Sequence, residues 1–247
     1  MGRILRSVLL LLSVVAMSCA GTATAAAAAP ASVAPIASVS PSAGESVGVG
    51  QPITVRYAAP VADRPAAERS LRLPAAAGPG EVTWPDSRTM RWTPQQLWPA
   101  HHAVTYSVGG LTTNFTTRSA VVGVADLSAH TFTVSVDDQV LREMPASMGK
   151  PGFATPIGNF TALEKQKSVV MDSRTIGIPL NSPNGYKLTV QDAVRVTWGG
   201  VYVHSAPWSV GSQGSANVSH GCINLSPDNA AWYYDMVNIG DPIIVRA

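Results

Sequence analysis

Ser219-His220-Gly221-Cys222-Ile223-Asn224 is the stretch from which the rest of this 247-residue chain can be read, because it holds one of only two cysteines and surrounds it with small and polar residues. A structural cysteine behaves as a small hydrophobe and keeps apolar company. Flanking Ser, His, Gly and Asn point instead to a working sulfur. Eighteen residues upstream of Cys222, Val201-Tyr202-Val203-His204-Ser205 is an apolar, β-prone run that places an imidazole at a strand end. Downstream, Ser226-Pro227-Asp228-Asn229 has the form of a helix start, with Ser226 as N-cap, Pro227 at the first helical position and Asp228 near the positive end of the dipole. The expectation is a cysteine in a short, fixed connection between a strand and a helix.

The other cysteine belongs to a different context. Arg3 and Arg6 precede the apolar run from Val8 to Met17, and small residues follow, which is the form of a secretory signal over residues 1–25. Ala23-Thr24-Ala25 resembles an ordinary cleavage site, whereas Ala16-Met17-Ser18-Cys19 loosely resembles a lipoprotein box that would leave a membrane anchor at Cys19. Either route removes Cys19 as a disulfide partner. The chain is then expected outside the cytoplasm, in the periplasm or cell wall, with domains held by packing alone. Loss of Arg3 and Arg6 takes the 17 basic residues to 15, equal to the 15 acidic ones. A neutral chain without a basic run is not expected to bind nucleic acid.

Residues 26–35 are Ala-rich and too poor in large apolar groups to pack, so they are read as a tether. From 36 to 118 the pattern is of short alternating runs: Ile53, Val55 and Tyr57; Val82 and Trp84; Met90 and Trp92; Val104, Tyr106 and Val108. Period-two alternation broken by Gly and Pro predicts an immunoglobulin-like β-sandwich, with a helical turn near Asp63–Arg69 on its edge. No catalytic constellation falls in this half, and His101-His102 is read as a solvated loop pair.

A second, β-rich domain is expected over 121–246. His130 to Val136 and Val140 to Met144 flank the turn Asp137-Asp138 and predict a hairpin. Thr155-Pro156-Ile157-Gly158 predicts a loop of fixed backbone, and Asn184-Gly185 a second hairpin turn. One main helix is expected from Pro227 to about Val237, then a last strand from Ile243 to Val245. The fold class is therefore mainly β.

A thiol attacks carbonyl carbon as thiolate, and an ordinary cysteine, with a pKa of about 8.5, needs a base near neutral pH. His204 and His220 both compete for that role. His204 is favoured because it comes from a separate strand and approaches the sulfur from across the site. Its orienting acceptor is the Ser205 carbonyl or hydroxyl. Donors for an oxyanion are the N–H groups of Gly221 and Cys222, with the Tyr186 hydroxyl as a third. Two alternatives stand beside this. Cys222, His204 and His220 together have the composition of a three-ligand zinc site. Taken singly, Trp208, Trp232, Tyr233 and Met171 are core-type residues.

The pairing of His204-Ser205-Ala206-Pro207-Trp208 with Ser219-His220-Gly221-Cys222-Ile223-Asn224 closely resembles the signature of the YkuD-type L,D-transpeptidases, bacterial enzymes that cross-link peptidoglycan. The preceding sandwich, signal and tether resemble the mycobacterial branch with a single immunoglobulin-like domain. The resemblance implies a catalytic groove beneath a lid running from Gly177 through Lys187. It implies Cys222 as nucleophile, His204 as base then acid, and Ser205 as orienting residue. Tyr186, Gly199, Gly200 and Asn224 match groove positions, with Met171, Trp208, Ser219 and His220 close by. No cofactor or metal is implied. The implied partners are donor and acceptor stem peptides of peptidoglycan and, as inhibitors, carbapenems. The implied reaction releases D-alanine from a tetrapeptide stem and joins two third residues, meso-diaminopimelate. Many relatives have Gly where this chain has Ser205.

Overall fold

The computed structural model describes residues 34–247, so the expected export signal, Cys19 and most of the Ala-rich tether lie outside the described residues. In the first half the strands are β1 (Ile36–Ser40), β2 (Glu45–Val47), β3 (Ile53–Tyr57), β4 (Gly80–Thr83), β5 (Thr89–Pro94), β6 (Ala103–Val108) and β7 (Leu111–Thr117). They make a four-stranded sheet, β1-β3-β5-β4, and a three-stranded sheet, β2-β7-β6. The alternating residues meet between them: Ile53, Val55, Tyr57, Met90 and Trp92 from one sheet, Val104, Tyr106, Val108 and Phe115 from the other. Trp98 fills the gap no disulfide closes, its ring 5.4 Å from those of both Trp92 and Phe115. Helix α1 (Arg64–Ser70) forms where the sequence suggested a turn, because the Asp63 carboxylate caps the Ala66 N–H at 2.9 Å. His101 is exposed as expected, with its Nε2 3.0 Å from Asp137 of the second half.

The second half carries β8 (Val121–Asp126), β9 (Thr131–Val136), β10 (Gln139–Pro145), β11 (Gly158–Thr161), β12 (Glu164–Asp172), β13 (Lys187–Arg195), β14 (Tyr202–Ser205), β15 (Ile223–Leu225), helix α2 (Pro227–Met236) and β16 (Pro242–Arg246). One sheet runs β10-β9-β8-β16-β11, the other β12-β13-β14-β15. Asp137 and Asp138 both take positive φ, 47° and 65°, which lets two residues reverse the β9–β10 hairpin. Helix α2 begins with the Ser226 hydroxyl accepting from the Asn229 N–H and packs Tyr233 edge-on against Phe132 at 4.8 Å.

Two expectations need correction. Asn184-Gly185 is not a two-residue hairpin turn. Strands β12 and β13 do form a hairpin, Asp172 opposite Lys187, but residues 173–186 close it as a long loop. Gly185 is required for a different reason, since a Cβ there would collide with the carbonyls of Pro179 and Leu180. Nor does Cys222 join a strand directly to the helix, because the short strand β15 intervenes.

The β14–β15 pair sets the site. It is parallel, with Val203 opposite Ile223 and His204 opposite Asn224. Val203 and Ile223 point into the core, so Tyr202 and His204, with Cys222 and Asn224 beside them, share the other face.

The halves meet through main chain. The N–H groups of Gly48 and Gly50 donate to the carbonyls of Ile239 and Gly240, each at 2.9 Å. Gly48 lies so close that a Cβ would strike the Asp241 backbone and carboxyl group.

Candidate active site

Register alone brings Cys222 and His204 to one groove of about 300 Å³. Met171, Tyr186, Trp208, Ser219, His220 and Asn224 line it with them, as do Leu188, Ser209, Ser212 and Val218, which the sequence did not single out. Gly199 and Gly200 lie in the connection entering β14. Gly200 has φ 100°, a conformation that favours glycine, and its carbonyl accepts from the Cys222 thiol at 3.6 Å.

His204 is 3% exposed, and its Nδ1 lies 2.9 Å from the Ser205 carbonyl oxygen. A carbonyl only accepts, so Nδ1 carries the proton and Nε2 keeps its lone pair. Of the two orienting groups Ser205 offered, the backbone carbonyl makes this contact. Burial pushes the imidazole down to about 4, the Ser205 carbonyl opposing the shift. Burial likewise pushes the Cys222 thiol up to about 11, against a backbone hydrogen bond from Tyr202 that favours the thiolate. The resting pair is therefore neutral thiol and neutral imidazole.

His220 stands apart from that pair. Its ring lies between Phe153, at 4.6 Å, and Tyr186, at 5.0 Å. Burial and then the neighbouring Lys150 ammonium hold it below the ordinary imidazole range, and its Nε2 has no partner. It forms part of an aromatic wall. The Tyr186 phenol is raised by burial first and by nearby Cys222 second, so it remains a proton donor. Trp232 and Tyr233 lie away from the groove, on α2, as core-type residues.

One of the expected oxyanion donors is otherwise engaged. The Gly221 N–H donates to Ser219 Oγ at 3.0 Å, and the same hydroxyl donates to the Cys222 carbonyl at 2.7 Å. That leaves the Cys222 N–H and Tyr186. The zinc alternative gains no geometric support, since among the described residues no three His, Cys, Asp or Glu side chains converge as a metal site.

Supporting residues come from distant segments. Ser209 accepts from Asn224 Nδ2 at 3.1 Å and fixes that amide. Segment 147–150 flanks the cysteine loop: Ser147 and Asn224 exchange backbone bonds, and the Lys150 N–H donates to Ser219 O at 3.0 Å. The expected lid is tied at its base by Ser173, whose hydroxyl donates to Ile178 O and accepts from the Tyr186 N–H. Across the groove edge, Lys150 Nζ donates to Asn184 Oδ1 at 2.9 Å.

Residues 120–245 match the family described as the L,D-transpeptidase catalytic domain (YkuD), and residues 16–112 match the bacterial Ig domain. L,D-transpeptidase 1 of Mycobacterium tuberculosis is 60% identical over 195 residues, 78% of each chain. A solved L,D-transpeptidase from Mycobacterium smegmatis is 68% identical with a TM-score of 0.84, covering 86% of this chain and 99% of its own. A structure of the L,D-transpeptidase LdtMt1 in complex with imipenem is 59% identical with a TM-score of 0.84, covering 87% and 100%.

Proposed function

Because this chain belongs to the YkuD family of L,D-transpeptidases, carried behind a bacterial Ig domain, we propose that it forms cross-links between peptidoglycan stems by acyl transfer through Cys222. The observation that carries the proposal is the shared groove of Cys222 and His204, with the imidazole oriented so that Nε2 is the free base.

The donor is a tetrapeptide stem. As it displaces water from the groove, the Cys222 proton passes to His204 Nε2 and sulfur bonds to the carbonyl carbon of the third residue, meso-diaminopimelate. Negative charge develops on that oxygen, where the Cys222 N–H and the Tyr186 hydroxyl meet it. The intermediate collapses, the bond to terminal D-alanine breaks, and His204 gives its proton to the leaving amine. A thioester remains. The side-chain amine of a second stem's diaminopimelate then attacks it and loses a proton to His204, which returns it to sulfur as the 3-3 link forms. Attack by water in place of the amine gives an L,D-carboxypeptidase.

Carbapenems present a strained carbonyl to the same sulfur, and a relative is known in complex with imipenem. The sequence supports an exported protein acting in the periplasm or cell wall, its sandwich serving as spacer and positioner and its product contributing to wall strength and cell shape. Mass spectrometry of products from a tetrapeptide donor tests the proposal. Cross-linked dimer from wild type and none from Cys222→Ala is the expected result. Hydrolysed stem alone, or dimer from Cys222→Ala, would refute it.

A further inference from the structure

The Thr155 hydroxyl is 66 residues from the cysteine loop in sequence yet is bonded into it. It donates to the Gly221 carbonyl oxygen at 2.9 Å and accepts from the Gly149 N–H at 2.9 Å, and the residue is 2% exposed. Thr155 does not line the groove; it stands behind the cysteine loop. Gly221, at φ 114°, lies against the carbonyls of Phe153 and Ala154, where a Cβ would be 3.6 and 4.0 Å away.

The carbonyl oxygen that Thr155 holds and the Cys222 N–H belong to the same peptide unit. That unit is planar and trans, so its C=O and N–H point in opposite directions. Fixing the oxygen toward Thr155 fixes the N–H away from it. A hydrogen bond to the oxygen also polarises the amide and makes its N–H a stronger donor. Ser219 already holds the Gly221 N–H and the Cys222 carbonyl. Thr155 and Ser219 together therefore hold three of the four polar backbone groups of Gly221 and Cys222, leaving the Cys222 N–H for a ligand.

We propose that Thr155 is a positioning residue for acyl transfer: through the Gly221 carbonyl it aims and strengthens the Cys222 N–H that meets the developing oxyanion. This rests on the acyl-transfer function proposed above. The role is confined to reactions that build charge on a carbonyl oxygen. Displacement of iodide from iodoacetamide by the thiolate builds none there.

The test compares imipenem acylation with iodoacetamide alkylation, both followed by intact mass, in wild type, Thr155→Val and Thr155→Ser. Thr155→Val keeps the shape and loses the hydroxyl. It is expected to slow acylation about 10- to 100-fold, somewhat less than outright loss of an oxyanion donor, with the alkylation rate and its pH profile unchanged. Thr155→Ser is expected to restore acylation. Equal acylation of wild type and Thr155→Val overturns the role of Thr155, as does an equal fall in both reactions, which would mark a general loosening of the loop. If the valine variant does not fold, Thr155→Ser decides: wild-type acylation supports the role, and slow acylation with normal alkylation overturns it. Wild type that takes up no imipenem would overturn the acyl-transfer function itself.

Discussion

His204 donates a hydrogen bond from Nδ1–H to the carbonyl oxygen of Ser205, the next residue along its own strand. The base is thus oriented by main chain, and substitution of the Ser205 side chain leaves the acceptor in place. A neutral acceptor also gives the imidazole little help in holding a second proton, unlike a carboxylate.

Alkylation should report this neutral pair. With His204 near 4 and Cys222 near 11, both groups are uncharged across the neutral range. The iodoacetamide rate at Cys222 should climb steadily from about pH 6 to beyond pH 9, where thiolate accumulates. A flat, fast rate between about pH 5 and 8 would instead reveal a preformed thiolate–imidazolium pair.

At Gly48 the joint between the halves has no space for a side chain. Gly48→Ala should lower stability by about 1–3 kcal/mol, an overpacking cost, because the atoms in the way are backbone atoms of Asp241 and Gly240 together with the buried Asp241 carboxyl group. Gly211→Ala, at a position with nothing within 4 Å, should unfold at the wild-type temperature. Equal melting of the two variants in thermal denaturation would show that the joint is looser than described.

Asp241 is fully buried beside that joint. Its Oδ2 accepts from Asn238, while Oδ1 has no partner. Burial raises the carboxyl from 3.8 to about 6, outweighing the hydrogen bonds that lower it. Between those values the folded chain holds a proton the unfolded chain has released, so this group's stabilisation is complete below pH 3.8 and declines as pH rises through about 6. Asp241→Asn should be more stable than wild type at pH 7 by about 1–2 kcal/mol and should flatten that slope. Melting temperatures across pH 4 to 8 would check both, and an asparagine variant less stable at neutral pH would contradict the assignment.

Lys150 reaches across to the loop between β12 and β13. Lys150→Met removes the bond to Asn184 Oδ1 at a cost of about 1 kcal/mol or less. Limited proteolysis within 177–187 should accelerate while the melting temperature hardly moves. Unchanged cleavage would mean that Ser173 alone holds the loop.

Much of this was legible in the residues. Alternation at Ile53, Val55 and Tyr57 encodes a buried face directly, and Asp137-Asp138 announces its turn through residues that tolerate positive φ. The Asn184-Gly185 signal misled because local turn chemistry was overridden: β12 and β13 pair with each other from Asp172 and Lys187 onward, and the dipeptide lies within the long loop that closes them. The mainly β class and the two domain types were legible, as were Cys222, His204, Met171, Tyr186, Trp208, Ser219, His220 and Asn224 of the groove, whereas Leu188, Ser209, Ser212 and Val218 were not. The supports of that groove were not. Thr155 contacts Gly221 and Ser209 contacts Asn224 through hydroxyls whose targets depend on tertiary packing. Likewise, nothing in Ser219-His220-Gly221 discloses that the serine occupies the glycine N–H.

The direct docking of Gly48 and Gly50 onto Ile239 and Gly240 limits how far the two halves can be interchanged. A foreign sandwich grafted ahead of the catalytic half would need to offer two N–H donors at that spacing with no bulk on the first of them. Swapping front ends among related enzymes should therefore succeed or fail on a single bare backbone position rather than on resemblance elsewhere in the transplanted module.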